Sequence, residues 1–229
     1  MGLILNLETA TTVCSVALAK DGQLIAAEEV NGDYTHAENL NVFIEQVLQK
    51  AKLSLTAVDA IAISKGPGSY TGLRIGVSTA KGLCYALDKP LIAINTLEHS
   101  AYACAQLHGD KDALFCPMID ARRMEVYCAL FDKKHNLIAP TAAVIIDEHS
   151  FEAELQKQKV YFFGDGAEKC KDVLSAHANA VFIEQFFPSA KNMVTLSENA
   201  FNNKQFVDVA YFEPLYLKDF VAGKKKSEV

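Results

Sequence analysis

This chain of 229 residues lacks several features that would assign it to a familiar class. Its six cysteines never occur at C-x-x-C spacing, and most lie in apolar runs where a free thiol behaves as a small hydrophobe. No apolar stretch reaches the ~18–20 residues that span a bilayer, and the start has no basic region typical of a signal peptide. Acidic residues outnumber basic ones, 28 to 22, which disfavours tight binding of nucleic acid. We therefore expect a cytoplasmic protein in a reducing compartment.

Common catalytic and metal-binding motifs are also missing. The six histidines include no pair at i and i+4 on a predicted helix, so we expect no metal centre. Gly68-Ser69-Tyr70 departs from the Gly-x-Ser-x-Gly motif of serine hydrolases, and no histidine can be assigned as a base for Ser69. We therefore expect no catalytic residue in this chain.

The pattern that is present predicts an α/β fold. Half of the residues are hydrophobic, which is enough for one large domain or two lobes with their own cores. The first apolar runs, with a turn at Asp21-Gly22, predict antiparallel hairpins, and alternating strands and helices follow. The second half repeats this plan. The sequence thus predicts two duplicated lobes, 1–108 and 109–229, each a mixed sheet flanked by helices, and the C-terminal segment could pack back on the first lobe.

A glycine-rich turn connects a predicted strand at 60–64 to a predicted helix from about Gly72 to Leu87. Such a turn is typical of anion and nucleotide sites, because glycines admit a ligand to the backbone N–H groups of the helix N-terminus. Neither common phosphate-binding motif is present, since no Gly-Lys-Ser/Thr follows the turn and the glycine spacing is not G-x-G-x-x-G. The turn therefore suggests a relative of nucleotide-binding folds without establishing a nucleotide enzyme.

Four segments resemble the TsaB (YeaZ) family of the actin, sugar-kinase and heat-shock-chaperone superfamily. They are residues 65–76 (KGPGSYTGLRIG), 4–18, 120–127 and 213–218. The resemblance implies actin-like (ribonuclease-H-like) lobes. It also implies a non-catalytic scaffold or activating subunit, required for threonylcarbamoylation of the adenosine beside the anticodon in tRNA.

The same resemblance implies the partners. TsaD would carry out the transfer, and TsaE, an ATPase, would assist. This chain would form a homodimer in their absence and meet tRNA only through the complex. ATP and metal would be bound by the partners, and this chain alone would bind no cofactor.

The positions of a nucleotide cleft are altered in this sequence. Phosphotransferases of the superfamily have two Asp-x-Gly-Thr/Ser turns, where this chain has Glu8-Thr9-Ala10-Thr11 and Asp120-Ala121-Arg122-Arg123. Each turn keeps an acid and lacks the glycine. One interpretation is inherited turns that only end strands. The other is a residual nucleotide cleft, formed by Glu8, Thr9, Asp120, Arg122, Gly164 and Gly166.

Small residues recur at i, i+4 and i+8 along the predicted helix, at Gly72, Gly76 and Ala80. A mid-helix glycine costs about 0.5–1 kcal/mol relative to alanine, so something must approach this face closely. The element that approaches this face is either the chain's own sheet or a partner subunit. The resemblance favours a partner interface, shared with the apolar stripe of the helix at 37–51. The predicted interface residues are Leu40, Phe43, Val47, Gly72, Leu73, Arg74, Gly76, Val77 and Ala80.

Two alternative functions stay open at this point. A small ATP-dependent phosphotransferase of the same superfamily would need Glu8 and Asp120 to bind magnesium. A metallopeptidase is the weaker alternative, because the metal-binding histidines of TsaD correspond here to Thr96 and Ser100, which cannot replace imidazole.

Overall fold

We describe the protein from a computed structural model, over residues 2–32, 36–108 and 110–218. Its elements in chain order are β1 (Leu3–Glu8), β2 (Val13–Lys20), β3 (Gln23–Asn31), α1 (His36–Ala51), β4 (Ala60–Ser64), α2 (Tyr70–Leu87), β5 (Leu91–Ile94), α3 (Thr96–Leu107), β6 (Leu114–Asp120), β7 (Glu125–Asp132), β8 (Leu137–Ile145), α4 (Glu152–Leu155), β9 (Val160–Phe163), α5 (Lys171–Leu174), β10 (Ala180–Ile183) and α6 (Ala190–Asn202).

The strands form two five-stranded sheets of the same plan. Their orders are β3-β2-β1-β4-β5 and β8-β7-β6-β9-β10. In each sheet an antiparallel three-stranded meander is extended by two parallel strands, with β4 beside β1 and β9 beside β6. The prediction of two duplicated α/β lobes, each with a mixed sheet and flanking helices, is confirmed.

The first sheet is covered on both faces, which explains why every residue of β1 is buried. On one face, α1 and α2 pack against Leu5 and Val16. On the other face lies α6, whose Met193 and Ala200 join a core cluster with Ile4. The C-terminal part of the chain therefore returns to the first sheet after completing the second. The division at residues 108 and 109 stays a prediction.

Local sequence signals explain where several elements begin and turn. Asp21 and Gly22 have φ values of 53° and 73°, so they form the tight turn that the Asp-Gly pair predicts between β2 and β3. Ser69 caps α2 by accepting a hydrogen bond from Gly72 N at 3.3 Å, which starts the helix two residues before the predicted position. Asn95 caps α3 in the same way, from Leu97 N at 2.9 Å.

The second lobe differs more from the prediction. The sequence predicts one helix near 148–157 and another that begins after Gly166. The structure has only the four residues of α4 in the first range, and a short 3₁₀ turn followed by α5 in the second. Neither β10 nor α6 is predicted from the sequence. The short helices are stabilised by packing Leu155 and Leu174 into the core, a tertiary effect that helical periodicity does not report.

Candidate functional site

A cleft of about 710 Å³ lies where the two lobes face each other. Its lining comes from the turn after β1, the N-terminus of α2, the β6–β7 turn and the last described residues of the chain. The lining residues that matter here are Thr11, Tyr70, Asp120, Arg122, Asp165 and Tyr216. The cleft lies between the turn after β1 and the β6–β7 turn, the two turns that the sequence analysis compares with phosphate-binding turns.

The glycine-rich turn packs on the turn after β1. A β-carbon on Gly68 would overlap Ala10 O, and one on Gly72 would overlap Thr9 O. Ser69 N donates to Ala10 O at 2.6 Å, and Thr9 Oγ1 donates to Gly72 O at 2.8 Å. The glycines therefore allow α2 to lie directly against the backbone of the first lobe, and Gly68 and Gly72 also line the cleft.

Glu8 is sealed inside the first lobe. Its side chain is fully buried, Oε1 accepts a hydrogen bond from Ala10 N at 2.6 Å, and Oε2 lies 2.6 Å from the buried His99 Nε2. Both carboxylate oxygens are thus used within the protein. Neither Glu8 nor Thr9 lines the cleft as predicted, because both are fully buried, Glu8 beside His99 and Thr9 beside Gly72 of α2.

His99 is a structural partner that sequence reasoning missed. Because the six histidines are scattered, none of them stood out as a partner for an acid. The signal that could have found it is Glu8 itself, since a carboxylate at the end of an apolar strand needs a buried partner. His99 lies on the face of α3 that is buried with Thr96 and Ser100.

The turn of the second lobe is open. Asp120 is exposed, and its Oδ1 accepts hydrogen bonds from Arg122 N at 2.7 Å and Lys169 Nζ at 2.5 Å. Arg122 and Arg123 both have left-handed backbone angles, with φ of 74° and 51°, which are uncommon for residues with a side chain. The structure thus places Asp120 and Arg122 on the cleft.

Asp165 is a cleft residue that the sequence did not single out. Burial raises its pKa to about 6, and the nearby Asp120 carboxylate adds to the shift. Its Oδ1 accepts a hydrogen bond from Asp120 N at 3.2 Å, which ties the loop after β9 to the end of β6.

Gly164 and Gly166 are packing residues. Gly164 has φ of 101°, and a β-carbon there would overlap Met118 O; a β-carbon on Gly166 would lie 2.8 Å from the Ile119 carbonyl carbon. The side of each glycine where a β-carbon would stand therefore faces β6, and neither residue lines the cleft as predicted. Of the six predicted cleft residues, only Asp120 and Arg122 line the cleft.

The glycine face of α2 is inside the protein. A β-carbon on Gly76 would overlap Thr9 Oγ1. The apolar members of the predicted interface that lie in the chain's own core are Leu40, Val47, Leu73, Val77 and Ala80. Their prediction as partner contacts, and that of Gly72 and Gly76, is therefore corrected. Phe43 is half-buried against that core, and only Arg74 is exposed.

The opposite side of α2 is accessible. We call Thr71, Arg74, Ser78, Gly82 and Tyr85 the outer face of α2, because they recur at helical spacing and are all exposed. Nothing lies within 4 Å of the position of a β-carbon on Gly82, and Tyr85 is 87% exposed.

The six cysteines are buried and reduced. Burial raises the pKa of Cys14, Cys84 and Cys104 to about 12, so these thiols are poor nucleophiles at neutral pH. Over the described ranges, no three His, Cys, Asp or Glu side chains come together as a potential metal site. No helix in the same part of the chain has both the length and the apolar character to span a membrane.

Comparison with known proteins places the chain in a family. The family model "TsaD: tRNA N6-adenosine threonylcarbamoyltransferase" matches residues 31–226. "tRNA threonylcarbamoyladenosine biosynthesis protein TsaB" of Escherichia coli (strain K12) is 34% identical over 97% of this chain and 97% of its own length. The protein of that name from Haemophilus influenzae is 30% identical over 97% and 96%.

Solved structures show the same relationship. "YeaZ from Pseudomonas aeruginosa" superposes with a TM-score of 0.81 and 27% identity, over 95% of this chain and 100% of that one. The duplicated lobes and the cleft between them define an actin-like α/β protein. The chain belongs to the family of the TsaD model and, within it, to TsaB, which confirms the resemblance seen in the sequence.

Proposed function

We propose that this chain is a non-catalytic subunit required for the biosynthesis of threonylcarbamoyladenosine in tRNA. The TsaB relatives are named as biosynthesis proteins and not as transferases, which agrees with an accessory, non-catalytic role. The observation that carries the proposal is the sealed Glu8. Its two oxygens are held by Ala10 N and His99 Nε2, so the first turn of the cleft has become part of the core.

In this proposal the chemistry belongs to partner proteins. TsaD transfers the threonylcarbamoyl group, and TsaE is a further partner. ATP and metal are bound by those partners, tRNA meets this chain only through the complex, and the chain forms a homodimer when they are absent. The acidic surface of the chain, with a net charge of −6, agrees with an indirect role in tRNA binding.

The outer face of α2 is the docking surface that the structure supports. Tyr85 offers a large exposed ring and Arg74 an exposed guanidinium, two side chains that often dominate protein interfaces. Gly82 leaves a flat place between them where another helix can approach.

Binding to TsaD tests this surface. Tyr85→Ala is expected to weaken the affinity at least about tenfold, since a central aromatic anchor contributes about 1.4 kcal/mol or more. Gly82→Leu is expected to block docking and leave the fold intact, because Gly82 is exposed and nothing lies within 4 Å of the position of its β-carbon. Ile145→Ala is the control, because Ile145 is an apolar residue that is 71% exposed and lies on β8 of the other sheet. Titration calorimetry with purified TsaD gives the affinities. Equal affinity of wild type and the three variants would contradict the docking surface.

The biosynthetic role is tested in cells. Depletion of this protein is expected to lower threonylcarbamoyladenosine in digested tRNA, measured by mass spectrometry. Expression of the wild-type protein in the depleted cells is expected to restore the nucleoside, whereas expression of Gly82→Leu is not. An unchanged nucleoside level after depletion would reject the function.

The phosphotransferase alternative makes the opposite prediction. It needs Glu8 to reach magnesium, and Glu8 is fully buried with its two carboxylate oxygens bound to Ala10 N and His99 Nε2. Calorimetry with Mg-ATP on the isolated chain separates the two functions. Micromolar binding with turnover would favour the phosphotransferase.

A further inference from the structure

The last described residues are attached firmly to the first lobe. Leu215 N donates to Lys65 O at 2.7 Å. Gly66 makes this approach feasible, because a β-carbon there would lie 2.9 Å from Leu215 O. Upstream, Lys81 Nζ on α2 donates to Ala210 O at 3.1 Å. The segment therefore follows the surface of α2 towards the cleft.

The same segment ends on the second lobe. Lys218 Nζ donates to Ala121 O at 3.2 Å and to the Glu125 carboxylate, and it lies 5.8 Å from the centre of the Tyr127 ring. Ala121 belongs to the turn that carries Asp120 into the cleft. We call residues 215–218 the clasp, because they hold one lobe at each end and line the cleft between them.

A row of side chains connects the clasp to the outer face of α2. The rings of Tyr216 and Tyr70 are 5.0 Å apart, and the Arg74 guanidinium carbon lies 4.1 Å from the centre of the Tyr70 ring. Arg74 thus stands at the surface end of the row and Tyr216 at the cleft end.

We propose that the clasp sets the opening of the cleft, and that a protein docked on the outer face of α2 tightens the clasp through Arg74. A docked protein removes water from the Arg74 guanidinium, and a cation–π contact strengthens when it is desolvated. Tyr70 is then held more firmly against Tyr216, and the clasp against the second lobe. The two lobes also meet where α3 packs on α6, so the clasp is a second attachment, located at the cleft.

A single tryptophan reports on the clasp, because the chain has none of its own. Tyr216→Trp places a clasp reporter at position 216, and Tyr211→Trp places a control reporter on the exposed part of the same segment. The acrylamide quenching constant of the clasp reporter is expected to be at most half that of the control reporter. Adding Lys218→Gln is expected to raise quenching of the clasp reporter about twofold and to leave the control reporter unchanged. Equal quenching of the two reporters, or no effect of Lys218→Gln, would overturn the clasp.

Hydrogen exchange tests the link to the cleft. In Lys218→Gln, amides of the β6–β7 turn (residues 121–124) are expected to exchange at least threefold faster. Amides of β1, which lie in the core of the first lobe, are expected to be unchanged. Unchanged exchange in the turn would show that the clasp does not hold the second lobe.

The coupling to a docked protein rests on the proposed function, and its test uses TsaD from the same organism. Saturation is established on a sizing column. TsaD is expected to lower quenching of the clasp reporter by about half, and Tyr70→Leu is expected to abolish this decrease at saturation. Saturated binding without a decrease would overturn the coupling and leave the proposed function standing. A failure of TsaD to bind would reject the proposed function and the coupling together, while the clasp itself is decided by the first two experiments.

Discussion

The two lobes contain equivalent turns with opposite environments. Glu8 ends the first strand of one sheet, and Asp120 ends the first strand of the other. Both are acids, and neither turn has the glycine of an Asp-x-Gly-Thr/Ser turn. Glu8 is nevertheless fully buried against His99, whereas Asp120 is exposed and paired with Lys169.

What packs on each turn accounts for the difference. In the first lobe, Gly72 and Gly76 allow α2 to close over the turn. In the second lobe, the loop after β9 packs behind the strand and leaves Asp120 on the cleft. An acid at the end of a strand therefore does not identify a functional turn, because the element lying above it decides whether a ligand can reach the carboxylate.

The largest expected contrast is between Glu8→Ala and Asp120→Ala. Loss of Glu8 leaves the buried His99 and the Ala10 N–H without their partner, which should lower the free energy of unfolding by roughly 3–5 kcal/mol. Loss of Asp120 removes a surface ion pair and should cost about 1 kcal/mol or less. Urea unfolding followed by circular dichroism measures both. Similar losses at the two positions would mean that the two turns are not in different environments.

A second contrast compares two glycines of one helix. Gly76→Ala should destabilise the protein by roughly 1–3 kcal/mol, because the new methyl group overlaps Thr9 in the sealed turn. Gly82→Ala should stabilise it by about 0.5–1 kcal/mol, because alanine favours the helix and the site is open. Thermal unfolding of the two variants gives the sign of each effect. If Gly76→Ala leaves the stability unchanged, the turn after β1 must be able to shift away from the added methyl group.

The smallest expected effect concerns the open turn and depends on pH. The raised pKa of Asp165 means that the folded state keeps a proton that the unfolded state releases between about pH 4 and pH 6. This group therefore makes the protein less stable as the pH rises through that window. Asp165→Asn should match wild type at pH 4 and be more stable by about 1–2 kcal/mol at pH 7.

A matched control accompanies this measurement. Asp112 is exposed and lies outside the cleft, so Asp112→Asn should shift stability little at either pH. If Asp165→Asn changes stability equally at pH 4 and pH 7, the buried carboxylate is not the cause.

The sequence predicts the fold well where local chemistry decides it. The Asp21-Gly22 turn and the alternation of strands and helices both act over a few residues. The predicted lobes follow from them. The helix α6 is different, because its position depends on a sheet formed from residues more than 90 positions earlier in the chain.

The site is predicted less well for the same reason. Glycine spacing correctly indicates that something approaches α2 closely, but it does not say whether the Thr9 turn or another subunit does so. The partner of Glu8 is 91 positions away at His99, and no local pattern connects the two. Asp120 and Arg122 are placed on the cleft because they lie in an exposed turn whose position the strand order already fixes.

The return of α6 to the first sheet has a consequence for synthesis. The side of that sheet formed by Ile4, Ala62 and Ile92 has no cover until Met193 and Ala200 have left the ribosome. A chain that ends before residue 190 would lack α6. It would therefore expose the apolar face of the first sheet, which is the part of the protein synthesised first. We expect C-terminal truncations to aggregate through the N-terminal lobe.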